Sequence, residues 1–179
     1  MKNILILVLV FVFAFFPATT SLGSEQALSL LPGNPSRLII PQIGVDAPVL
    51  AMGLTADNSM AVPNNFTDAG WFRLGARPGE RGSAVLGAHV DNGGATPGIF
   101  KNLKHLAVGD EFEVTDDRGI TLRFQVEKVG IYDRRERNTD EIYFRADQAR
   151  LNLITCHGEW LPAENTYAER LVIFAVLVS

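Results

Sequence analysis

From Arg37 onward the chain is a series of short apolar runs cut by Gly, Pro, Asn and Asp, and long helical periodicity is absent. That pattern specifies an all-β domain with many turns. Residues 37–40 form one run ending at Pro41, and 42–45 lead through Pro48 into Val49 and Leu50. Proline interrupts a hydrogen-bonded ladder, so these positions are expected at strand edges or bends. Further strands are expected at 69–72 and 83–89, at 112–115 and 121–131 flanking an Asp-Asp-Arg-Gly hairpin turn, at 151–156, and at 171–178. Residues 132–150 are polar and charge-rich, and read as a long loop with a short helix near 144–149, either a solvated face or the lining of a site. Trp71 and Phe72 are expected to pack in the core or at its rim.

The N-terminus is a different kind of sequence. Residues 4–16 are thirteen consecutive apolar residues preceded by Lys2, which fits the hydrophobic region of an export signal or the core of a membrane anchor. Residues 1–22 are therefore assigned as signal peptide or membrane anchor, 23–36 as a tether rich in Gly and Pro, and 37–179 as the folded domain. Either alternative puts the domain on the extracytoplasmic side. The formal net charge of −4 is spread as mixed signs, so nucleic acid is not an expected partner. With one cysteine and three histidines there is neither a disulfide framework nor a C-x-x-C or H-E-x-x-H spacing, and no metal or other cofactor is expected.

That single cysteine, Cys156, ends the 151–156 run. Strand alternation puts Leu151, Leu153 and Thr155 on one face and Asn152, Ile154 and Cys156 on the other, with His157 and Gly158 closing the run. A free cysteine packs as a small hydrophobe unless a cationic or basic neighbour activates it. Two neighbours are available. His89 follows a run of small and apolar residues, and Gly87 and Ala88 leave room beside it. Arg170 opens the last strand, and antiparallel pairing of that strand with 151–156 brings it beside Cys156. Asp91 is close enough in sequence to orient His89, although a solvated turn is the simpler reading. His157 is a rival base, but adjacent strand residues point to opposite faces, which favours His89. His105 reads as a surface residue.

Nucleophile, proton carrier and fixed cation thus stand at three strand ends. Together, Ile154-Thr155-Cys156, Arg170 downstream and Gly87-Ala88-His89-Val90-Asp91 upstream resemble the sortases, the cysteine transpeptidases of bacterial cell surfaces. The runs 40–45, 70–72, 78–82 and 89–91 are most similar to the class F and class E subgroups. The resemblance implies a closed eight-stranded β-barrel with short helical connections and a site at one rim. It implies catalysis by His89, Cys156 and Arg170, with Thr155 binding substrate. Its implied partners are a Leu-Pro-X-Thr-Gly-like sorting signal and an amine from a peptidoglycan precursor or pilin, acting at the membrane if the anchor is kept. The Ser-x-Gly-Cys context of L,D-transpeptidases is absent, and papain-like enzymes place cysteine before histidine. A non-catalytic exported barrel that binds partners or associates with pili, or a hydrolytic cysteine peptidase on the same fold, remains the alternative.

Overall fold

The computed structural model describes residues 31–94 and 96–178. The expected signal or anchor segment, and most of the tether, lie outside the described residues. Strand β1, Pro35–Ile40, begins two residues before the domain start read from sequence. It leads through a 3-10 turn at Pro41–Ile43 into β2, Val45–Met52. Then come β3, Ala69–Phe72, and β4, Gly82–Gly87. A second 3-10 turn, Leu103–His105, precedes the hairpin of β5, Glu111–Asp116, and β6, Thr121–Asp133. One helical turn, α1, Asp140–Tyr143, separates these from the long hairpin of β7, Ala149–Leu161, and β8, Thr166–Val178.

The strands close into a barrel in the order β1-β2-β3-β4-β7-β8-β6-β5, with β5 returning antiparallel to β1. Closure removes the unpaired backbone edges that an open sheet of this size would leave. Most pairings are antiparallel, but β2 with β3 and β4 with β7 are parallel. Parallel neighbours need a crossover. The second crossover carries the chain from residue 88 to 148, so β4 and β7, distant in sequence, lie side by side. Inside, Leu38, Leu86, Phe112, Phe124, Leu153 and Ile173 meet in one apolar core. A smaller cluster of Ile142, Val172 and Phe174 lies under α1, and Ile154 packs against it. The alternation read along residues 151–154 therefore holds: Leu151 and Leu153 enter the main core, while Ile154 joins the α1 side.

Three details differ from the sequence reading, each for a local reason. The short helix lies at Asp140–Tyr143 rather than 144–149. Asp140 and Glu141 stand in its first turn, where negative charge is favoured, whereas Phe144 is exposed and Ala149 already belongs to β7. Strand β7 does not stop at His157. Gly158 takes φ +82 at a register shift between His157 and Trp160, so the glycine builds a bulge and pairing resumes to Leu161. Finally, Arg150 is not part of a solvated face. Its side chain is 2% exposed and donates to both Asp147 oxygens, at 2.9 and 2.7 Å, and to Glu127 Oε2 at 2.6 Å. Hydrogen bonding to Asp147 outweighs the opposing effect of burial and holds the guanidinium protonated, so the foot of β7 is tied to β6.

The hairpin turn between β5 and β6 is organised by the nearly buried Asp116. Its carboxylate accepts backbone N–H groups from Gly33, Arg118 and Ile120, each at 2.9 Å, and the Arg118 guanidinium at 3.0 Å. Burial opposes its ionisation, but these donors prevail and bring the carboxyl to about 2. The folded form is therefore the stronger acid. Its contribution to stability is present above the unfolded carboxyl range near 3.8 and is lost as pH falls through about 2. In urea titrations, Asp116→Asn should lower stability at pH 7 and flatten its decline between about pH 4 and 2 relative to the parent. An unchanged acid limb in the variant would refute this role.

Candidate active site

The site is built where β4, β7 and β8 run together. Cys156 on β7 stands directly opposite Arg170 on β8, as antiparallel pairing of the two runs required. On the other flank β4 pairs with β7 as far as Gly87 opposite Ile154, and the Ala88 N–H still donates to the Ile154 carbonyl at 3.3 Å. The Thr155 hydroxyl, buried, then donates to the Ala88 carbonyl at 2.8 Å. These two bonds carry the β4 chain one step past its strand end and bring His89 to the cleft that Cys156 lines. Regular strand stops at Gly87, two residues short of the histidine. Space at 87 is tight: a Cβ there would sit 3.1 Å from Val62 and 3.2 Å from Met60, and those side chains would have to give way.

His89 is held on three sides. Its Nε2 lies 2.9 Å from the Pro63 carbonyl, which can only accept, so this nitrogen carries the proton and Nδ1 is left for other work. Phe66 packs on the ring with centroids 4.9 Å apart. Behind it, Phe100 N–H donates to the His89 carbonyl at 3.1 Å. A Cβ on Gly98 would fall 2.1 Å from that same carbonyl oxygen, so only glycine lets the following loop fold back here. Pro63 and Phe66 belong to the β2–β3 connection, for which the sequence offered no chemical signal.

Asp91 does not orient the histidine. Its Oδ1 accepts the Tyr167 hydroxyl at 2.6 Å and the Gly93 N–H at 2.8 Å, clamping the loop after His89 onto β8. Burial first, then the adjoining Asp91 carboxylate, push the Tyr167 phenol up to about 12, so it stays a donor. Arg170 donates to the carbonyls of Tyr167 and Glu169, at 3.1 and 2.8 Å, and to the Thr166 hydroxyl at 3.3 Å. None of these partners is a carboxylate, so these hydrogen bonds do not neutralise the guanidinium. His157 pairs in register with Glu169 and is absent from the cleft lining; His105 is exposed.

His89, Cys156, Arg170 and Thr155 all line one cleft of about 640 Å³. Ile154 contributes to its floor; Val62 and Met60 of the β2–β3 connection, Phe72 of β3, and Ile142, Tyr143 and Phe144 of the α1 region supply apolar surface. Asp133, Arg134, Glu136 and Thr139 add a polar portion. The cleft lies on the α1 side of the sheet, since Ile154 and Val172 belong to the cluster under that helix rather than to the main core.

The Sortase domain family model matches residues 38–178, and the chain belongs to the sortase family, a family of transpeptidases. Among solved structures it is similar to a Clostridium perfringens sortase D5 transpeptidase, with 20% identity over 90% of this chain and 91% of that one and a TM-score of 0.62. It is similar also to Streptococcus agalactiae sortase C1, with 24% identity, coverage of 88% and 74%, and a TM-score of 0.63. Actinomyces oris sortase C-1 aligns at 23% identity over 88% and 82%, with a TM-score of 0.62. No curated protein sequence matches the chain. The family and the eight-stranded barrel agree with the resemblance read from sequence; the class F and class E subgrouping draws no support from these sortase C and D structures.

Burial raises the Cys156 thiol above its ordinary value; the Arg170 charge pulls it down, and Asp91 pushes it up. A raised thiol is mostly protonated at neutral pH and becomes nucleophilic as pH climbs. The rate of Cys156 alkylation by iodoacetamide should therefore rise with pH to a midpoint above the usual ~8.5 of a free cysteine. Arg170→Ala should move that midpoint higher still. A midpoint below the free-cysteine value, or no change on removing Arg170, would contradict the electrostatic reading.

Proposed function

We propose that this protein is a cysteine transpeptidase that cleaves a Leu-Pro-X-Thr-Gly-like sorting signal and transfers the acyl part to an amine at the cell surface. The observation that carries this reading is the cross-strand pair Cys156–Arg170, with His89 lining the same cleft. Cys156, as thiolate, attacks the threonine carbonyl of the sorting signal. The C–N bond breaks as the C–S bond is kept, leaving a thioester on Cys156. His89, as imidazolium, protonates the departing amine and then takes a proton from the incoming amine as that amine attacks the thioester, the new C–N bond forming as the C–S bond breaks and Cys156 leaves as thiolate. With Nε2–H engaged by Pro63, Nδ1 is the nitrogen suited to this exchange.

Arg170 stabilises the negative charge that develops on the carbonyl oxygen. Its neutral hydrogen-bond partners support that role, because a paired carboxylate would cancel the field the oxyanion needs. The Thr155 hydroxyl donates its hydrogen bond to the Ala88 carbonyl, so what it offers a substrate N–H is the lone pairs of its oxygen. The acceptor amine comes from a peptidoglycan precursor or a pilin lysine, and the N-terminal apolar segment directs the domain outside the cell, by anchor or by cleaved signal.

The test is incubation of the protein with a library of pentapeptides around Leu-Pro-X-Thr-Gly and an added amine, followed by mass. A Cys156-linked acyl adduct and an amine-ligated product are expected, both lost in Cys156→Ala. His89→Ala should slow adduct formation by about 10²–10⁴-fold, whereas His157→Ala should change it by no more than about threefold. The reverse order would transfer the proton-carrier role to His157, and no adduct with any peptide would remove the transpeptidase reading.

A further inference from the structure

Helix α1 supplies Ile142 and Tyr143 to the cleft, with Phe144 at its end, yet it is only four residues long. One turn does not hold itself together in water, so its position must come from what lies beneath it. Ile142 packs on Val172 and Phe174. Glu141 takes the Lys128 ammonium at 2.7 Å and the Tyr132 hydroxyl at 2.8 Å. One further contact is of a different kind. Asn152, fully buried in β7, donates its Nδ2–H to the Ile142 carbonyl at 2.6 Å. That carbonyl is among those a helix end leaves without an internal partner.

Asn152 is an odd choice for its place. Mid-strand, with both sheet neighbours present, a β-branched or aliphatic residue is favoured, and asparagine is disfavoured. Its Oδ1 is buried with no hydrogen-bond partner among the described residues, which is a standing cost to stability. Leucine is close to asparagine in shape and would remove the orphaned Oδ1, but it would leave the Ile142 carbonyl without its donor. What leucine lacks is the donor that reaches α1. Asn152 also lies on the strand face that carries Ile154 and Cys156, two and four residues further along β7, so the strand that presents the nucleophile also pins the cleft wall.

We infer that Asn152 is a positioning residue for the acyl-donor peptide: its amide fixes α1 over β7, and α1 in turn holds the apolar surface against which the peptide lies. The inference rests on the transpeptidase reading above for its substrate, but the fixing of α1 does not.

The test uses the full-length protein and Asn152→Leu, with Asn152→Ala as a second variant that adds no bulk. Amide exchange at residues 142–144 should become about tenfold faster, the loss expected for one hydrogen bond to a charge-free partner. The thermal midpoint of Asn152→Leu should stay close to the parent's, because the unpaired Oδ1 is removed while the Ile142 carbonyl loses its donor. Alkylation of Cys156 by iodoacetamide, too small to need the wall, should stay within about twofold, while KM for a pentapeptide the parent turns over rises about tenfold and kcat changes less. Unchanged amide exchange and unchanged KM in a folded variant would overturn the inference, as would unfolding of both variants, which would make the amide structural only. If the parent acylates with no peptide, the transpeptidase reading fails, and exchange at 142–144 still decides whether Asn152 holds α1.

Discussion

The site depends on one register. Cys156 faces Arg170 because β7 and β8 pair antiparallel with Leu153 opposite Ile173 and Leu151 opposite Ala175, and all four side chains are fully or almost fully buried in the barrel core. A slip of one residue would turn each of those side chains out of the core and bring Asn152 and Phe174 into it. The hydrophobic pattern therefore locks the distance between the thiol and the guanidinium more firmly than any bond between them. Barrel closure extends the same constraint to His89, since β4 must lie parallel to β7 for the ring of strands to close. Fold stability and site geometry are set by the same contacts.

On this scaffold the electrostatics are opposed rather than simply activating. Burial keeps the Cys156 proton in place; Arg170 favours its release and Asp91 resists. A protonated thiol is a poorer nucleophile than its thiolate, so burial and Arg170 pull its reactivity in opposite directions. Asp91 takes part twice, as a charge near the sulfur and as the acceptor that fastens the loop after His89 to Tyr167. The imidazole, by contrast, is oriented by a backbone carbonyl and a phenyl ring, neither of which adds charge. The arrangement separates the two duties: neutral groups aim the histidine, while burial first and then the charges of Arg170 and Asp91 act on the sulfur.

Much of the barrel was legible because its strands are short, apolar and bounded by Gly, Pro and Asp-Gly-type turns, and β3, the β5–β6 hairpin and the pairing that joins Cys156 to Arg170 follow from that pattern. What escaped has a common physical cause: roles assigned by tertiary neighbours. Gly158 read as a strand end because a bulge and a terminator use the same residue. Arg150 read as solvated because nothing local says that Glu127, two strands away, will cover it. The partners of His89 sit in the β2–β3 connection, where Pro63 acts through its backbone and has no side-chain signature. Asn152 was visible as a polar residue on the Cys156 face, but its meaning depends on a helical turn that sequence placed four residues too late.

The central claim is that sulfur, imidazole and guanidinium act on a single carbonyl in the cleft beside α1. A crystal structure of the protein acylated at Cys156 by a Leu-Pro-X-Thr substrate mimic measures this directly. The account predicts a thioester carbonyl oxygen within hydrogen-bond distance of the Arg170 guanidinium, His89 Nδ1 turned toward the acyl carbon, and the leucine side chain against the apolar surface of the cleft. An adduct whose oxygen lies away from Arg170, or whose peptide runs outside the cleft, would contradict it.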